Sequence, residues 1–174
     1  MTLQEHLQGG FSKVTSVAIA NKVISKEYDL LKLMNFYLSE NELLMNRAAW
    51  VVNNILDQVP TLIQPFVSVI LNRLQYGTLK TDTFLRNTFR VLSRVSIAEE
   101  HREQAIDLAF HYFTDKNRPV AIRAHCMRLL GDTLIYYPEI AAELILMIED
   151  ELPYGTSGFK NRGQRTINHL KKYI

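Results

Sequence analysis

Apolar side chains recur at three- and four-residue intervals along much of the chain. Leu62, Phe66, Ile70 and Leu74 stand at i, i+4, i+8 and i+12, Leu85, Phe89, Leu92 and Val95 keep helical spacing, and Ile106, Phe110 and Phe113 do the same. Stripes of this period bury one face of a helix, and no segment sustains the alternation of a strand. The pattern predicts first helices near 26–39, 61–75, 98–114 and 139–151, each followed by a second helix near 43–58, 83–96, 119–136 and 158–173. A short helix near 13–24 precedes them, and residues 1–11, with Gly9-Gly10, carry no such stripe. The expected class is all-α: about four helix pairs plus an N-terminal helical segment.

The pairs repeat. Arg47, Arg86, Arg123 and Arg162 are spaced by 39, 37 and 39 residues, the length of two antiparallel helices and their turns. Similar residues surround the first three: Asn46-Arg47-Ala48-Ala49, Leu85-Arg86-Asn87-Thr88 and Ile122-Arg123-Ala124-His125; the copy at Asn161-Arg162-Gly163 is weaker. The next helix is announced at a similar offset each time. Pro60 and Pro138 do it with a ring suited to a first helical turn, Glu99 and Glu100 with carboxylates suited to the positive end of a helix dipole. One helix pair cannot bury its own face, so the units must stack into a superhelix. The expected organisation is a single repeat domain over 1–174, with units near 26–58, 61–96, 98–136 and 138–173.

The segment Asp115-Lys116-Asn117-Arg118-Pro119-Val120-Ala121-Ile122-Arg123-Ala124, closing with Leu129-Leu130-Gly131, resembles a HEAT repeat. That family places an Asp in the turn, a Pro opening the second helix, and then Val-x-x-Arg-Ala. Asp82 before Arg86 is a looser copy, and Arg47 has Glu42 nearby instead of an Asp. The resemblance runs over about 28–174 and implies an α-α superhelix. It also implies that Arg47, Arg86, Arg123 and Arg162 form a structural ladder, each bonding an acid or carbonyl of the neighbouring repeat. The chain is further similar to short bacterial HEAT-like proteins that share Arg86-Asn87-Thr88-Phe89-Arg90-Val91-Leu92 and a Gly155-Thr156 turn. Some of that group carry an adenylosuccinate lyase label. The lyase family has a much longer chain and a Ser-rich loop ending in Met-Pro-x-Lys, which this sequence lacks.

Composition narrows the classes. With 47% hydrophobic and 22% charged residues the chain is an ordinary folding sequence, not a disordered one. Twenty basic and eighteen acidic side chains give a formal charge of +2, too mild to imply nucleic acid unless the charges cluster. Cys126 is the only cysteine, so no internal disulfide forms, which suits a reducing cytoplasm. Its expected role is a buried small hydrophobe. No apolar run spans a bilayer, since Glu143 interrupts Ile140 to Ile148, and the polar start does not read as a signal peptide.

Charge does cluster on two predicted helices. Arg86, Arg90 and Arg94 share one face, as do Arg162, Arg165, His169 and Lys172. Like charges at this spacing need an offset: acids such as Asp82 or Glu99, solvent, acids of an adjacent helix, or an anionic partner. Arg86, Arg90, Arg94, Arg162, Arg165 and Lys172 are therefore the candidate anion or partner surface. The acids Glu99, Glu100, Glu103 and Asp107 suit the start of a helix; Glu149, Asp150 and Glu151 sit at a helix end, where a basic partner from the final helix would compensate them. The histidines His6, His101, His111, His125 and His169 do not pair at metal-ligand spacing. Gly155-Thr156-Ser157-Gly158 reads as a turn with Ser157 capping the last helix, and Trp50 as core. No phosphate loop or nucleophile elbow occurs. These features point to a noncatalytic scaffold that binds a protein or peptide on a concave surface of second helices. Nucleic-acid binding through the basic stripes and a small-molecule enzyme are the alternatives. No cofactor, metal or membrane is called for, and no feature sets an oligomeric state.

Overall fold

Ten α-helices and no strand form in a computed structural model that describes all 174 residues. The chain divides into two compact units, Met1–Ser96 and Ile97–Ile174.

The first unit holds α1 (Leu3–Gln8), α2 (Lys13–Ile24), α3 (Leu30–Tyr37), α4 (Glu42–Gln58), α5 (Val67–Tyr76) and α6 (Asp82–Leu92). Helix α1 was not legible in the apolar pattern. A capping box makes it, with the Glu5 amide donating to Thr2 Oγ1 at 3.2 Å and the Thr2 amide to Glu5 Oε2 at 2.7 Å. Helix α3 starts four residues later than the stripe predicts, because Lys26 takes a φ of 63° and Asp29 supplies the cap. Helix α5 starts at Val67, not near 61. Pro60 and Pro65 each open a short 3-10 turn, and Pro65 also biases Gln64 away from α geometry. The buried stripe there is consequently Ile63, Val67, Ile70 and Leu74, while Leu62 and Phe66 are only half-buried.

Helix α4 is the hub of this unit, packing against α1, α2, α3 and α6. Met45, Ala48, Ala49, Val51, Val52 and Ile55 are fully buried, and the two alanines let neighbours approach closely. Burying a Val or Ile contributes about 1.5–3 kcal/mol, so this helix anchors the unit. Tyr37 of α3 and Thr88 of α6 meet hydroxyl to hydroxyl at 3.1 Å in the interior, where burial pushes the Tyr37 phenol pKa up to about 12. Trp50 is not core: it is 46% exposed, and the Phe11 ring meets it edge-on at 6.3 Å.

The second unit holds α7 (Glu99–Thr114), α8 (Val120–Thr133), α9 (Pro138–Glu151) and α10 (Ser157–Leu170). Helix α8 packs against α7 and α10, and α9 packs against α10. Two glycines set these distances. A Cβ on Gly131 would lie 3.1 Å from Thr166 Cγ2, and one on Gly163 would lie 2.8 Å from Ile148 Cγ2. Thr156, not Ser157, caps α10 by accepting from the Phe159 amide at 3.3 Å; Ser157 is the first helical residue. Lys171, just past α10, meets Glu149 of α9 at 3.1 Å, so part of the acidic end of α9 finds the basic partner that the sequence implied.

Candidate anion-binding site

The repeated arginines have unlike surroundings. Arg47 donates through Nη1 to the carbonyls of Leu7 at 2.7 Å and Gly9 at 2.8 Å, at the end of α1. Arg123 is 7% exposed and donates through Nε to the Phe113 carbonyl near the end of α7 at 2.7 Å. Its Nη2 meets Glu151 of α9 at 2.7 Å, and its guanidinium lies over the Phe113 and Phe159 rings. Asp115 in the preceding turn pairs with Arg118 at 3.0 Å. Both Arg47 and Arg123 thus satisfy carbonyls that a helix terminus leaves open. At Arg86 the expected ladder contact is absent: the side chain is exposed and pairs with nothing in its unit. Arg73, which carried no sequence signal, does that work instead. It donates to the carbonyls of Leu38 at 3.0 Å and Leu79 at 3.3 Å and meets Glu40 at 3.2 Å. Glu40 in turn accepts from the amides of Thr78 and Leu79.

The α6 stripe is largely answered from within. Asp57 of α4 lies between Arg90, at 3.6 Å, and Arg94, which it contacts directly. An acid of an adjacent helix therefore offsets two of the three arginines, and Arg86 alone stands free on that face within the unit.

The last helix differs. Arg162, Arg165, Thr166 and His169 of α10 face Arg128, Gly131 and Asp132 of α8 across a cleft of about 340 Å³. The absence of a side chain at Gly131 keeps this wall open and lets the two helices close beneath it. Asp132 is the only carboxylate lining the cleft, and it is held loosely, 3.8 Å from Arg128 Nε and 3.8 Å from His169 Nε2. Arg162 and Arg165 have no carboxylate of their own in the unit. Burial, then the charges of Arg128 and Arg165, pull the Arg162 pKa below its usual value, against the opposing pull of Asp132. The cleft thus holds three guanidiniums and an imidazole against one carboxylate. A neighbouring anion would relieve that imbalance. Lys172 lies beyond the end of α10, is exposed, and does not line the cleft.

Sequence reasoning found Arg162, Arg165 and His169 but missed Arg128 and Asp132. Arg128 had one signal, a further arginine after the repeated one, as Arg90 follows Arg86. Elsewhere, Cys126 is fully buried and burial raises its thiol pKa. No three His, Cys, Asp or Glu side chains gather at metal-ligating distance. No helix is long and apolar enough to cross a membrane.

Helix pairs recurring at this length, tied by arginine to helix ends, define a helical-repeat protein. A model of the HEAT repeat domain matches residues 3–167, and the chain belongs to that family. Comparison with curated proteins and with solved structures gives no match.

Proposed function

We propose that the chain is a noncatalytic interaction scaffold that binds an acidic segment of a partner protein in the cleft between α8 and α10. HEAT repeats commonly mediate interactions, and this one is read as acting in the cytoplasm, where its single buried thiol stays reduced. The observation that carries the reading is the charge imbalance of the cleft: Arg128, Arg162, Arg165 and His169 against Asp132 alone. Elsewhere, Arg90 and Arg94 share Asp57, and Arg123 is locked to Glu151. Charged donors that are preorganised and unanswered favour an incoming carboxylate or other oxyanion.

The test is fluorescence anisotropy with a labelled peptide rich in Asp and Glu. Expected is binding that weakens with added salt and falls about ten-fold or more on Arg165→Gln, whose exposed position spares the fold. Equal binding by wild type and Arg165→Gln, or no binding by either, overturns the reading. A labelled DNA duplex in parallel tests the nucleic-acid alternative, which gains if the duplex binds more tightly than the peptide.

A further inference from the structure

We infer that the cleft between α8 and α10 is a phosphate monoester site, formed by Arg128, Arg162 and Arg165 with His169 at its edge. This rests on the scaffold reading above and specifies its ligand.

Three guanidiniums against Asp132 leave two positive charges uncovered with His169 neutral, and up to three with it protonated. One side-chain carboxylate brings a single negative charge and two oxygens. A phosphate monoester brings about −1.5 to −2 at neutral pH and three terminal oxygens, enough for guanidinium forks arriving from two helices. Arg128 comes from α8 and Arg162 and Arg165 from α10, so the donors approach from opposite walls, and a cavity of about 340 Å³ admits a phosphate with the stem that carries it. Gly131 leaves room where any side chain would press on Thr166. Arg162, half-buried beside Arg128 and Arg165, is held among like charges, a cost that a bound dianion removes.

The charge distribution separates an isolated phosphate from a nucleic acid. The unit Ile97–Ile174 carries ten Lys and Arg against eleven Asp and Glu, so the positive charge is a focused spot on a slightly acidic body. Glu139, Glu143 and Asp150 lie exposed on α9, which packs directly on α10. A polynucleotide needs a track of cations following successive phosphates, and these acids would repel it. One localised dianion avoids them.

The experiment is a titration of the full chain with three labelled peptides identical except for one residue: phosphoserine, serine or glutamate. Inorganic phosphate and free O-phosphoserine serve as competitors. The phosphoserine peptide is expected to bind about ten-fold or more tightly than the serine and glutamate peptides, and Arg162→Gln and Arg165→Gln are each expected to erase that difference. Melting curves followed by circular dichroism show whether Arg162→Gln is folded; exposed Arg165 supplies the second variant if it is not. Competition by free O-phosphoserine at the peptide's own affinity assigns a small-molecule source, and competition only at far higher concentration assigns a phosphorylated protein; both support the phosphate site. Equal binding of the phosphoserine and glutamate peptides overturns it while leaving the acidic-peptide scaffold standing. Failure of all three peptides overturns both.

Discussion

Replacing Arg123 by alanine should destabilise the protein far more than replacing Arg94. Arg123 is 8% exposed in its side chain, opposite a Glu151 that is 22% exposed. Truncation removes a charged hydrogen bond to Glu151, orphans the buried Phe113 carbonyl and strips the cover from two aromatic rings. Breaking a buried pair costs about 3–5 kcal/mol, and the partial exposure of Glu151 puts this case near the lower bound, about 3 kcal/mol. Arg94 and Asp57 are 26% and 48% exposed, and Asp57 keeps Arg90 when Arg94 is lost. That change should cost about 0.5 kcal/mol. Urea melts followed at 222 nm read the difference. With a slope of about 2 kcal/mol per molar urea, the Arg123→Ala midpoint falls by about 1.5 M and the Arg94→Ala midpoint by about 0.25 M. Arg123→Met, which restores apolar stem but no donor, should recover about 1 kcal/mol at most. Equal midpoints, or a weaker Arg94 variant, would refute the assignment of Arg123 to a structural bond.

Gly77→Ala should cost about 2 kcal/mol or more, because the new Cβ would stand 1.7 Å from Arg73 Nη1 and 2.6 Å from the Arg73 carbonyl, forcing Arg73 off its carbonyls; thermal melts check this. Cys126 should resist iodoacetamide at pH 8 in the folded protein and react quickly in urea, since the thiol is buried and its pKa raised; rapid native labelling detected by mass spectrometry would contradict the packing. Burial pushes the Glu40 pKa up, but donors from Leu79 and Thr78 and the charge of Arg73 outweigh it, so the folded value lies below the ordinary 4.5. Its contribution is therefore present above pH 4.5 and lost as pH falls through the depressed folded value; Glu40→Gln should flatten the acid limb of a stability profile below about pH 4.5.

Helix order was legible because apolar stripes, prolines and acidic helix starts repeat at one period. What the stripes could not show was governed by single residues. Thr2 and Glu5 make α1 by hydrogen bonding, without an apolar pattern, and Pro65 delays α5 by denying it a donor and restricting Gln64. Of the four arginines in the period, Arg47 and Arg123 bond helix-end carbonyls, while Arg86 and Arg162 make no such bond, and the period did not name the partners. Backbone acceptors leave no trace in residue types. Arg73 escaped notice for the same reason. At the candidate site, the α10 arginines were visible as a stripe, whereas the opposing wall of Arg128 and Asp132 follows from how close Gly131 lets α8 and α10 come. A glycine's role in an approach distance is a property of two surfaces, and one strand of text shows only one of them.

The most direct test of the central claim is an NMR titration that follows the arginine Nε–H signals as the acidic peptide is added. The account predicts that Arg128, Arg162 and Arg165 shift together and saturate with one affinity, while Arg90, Arg94 and Arg123, already paired to Asp57 and Glu151, hold still. Shifts confined to Arg86, Arg90 and Arg94, with the α8–α10 arginines unmoved, would contradict it and place the partner on α6.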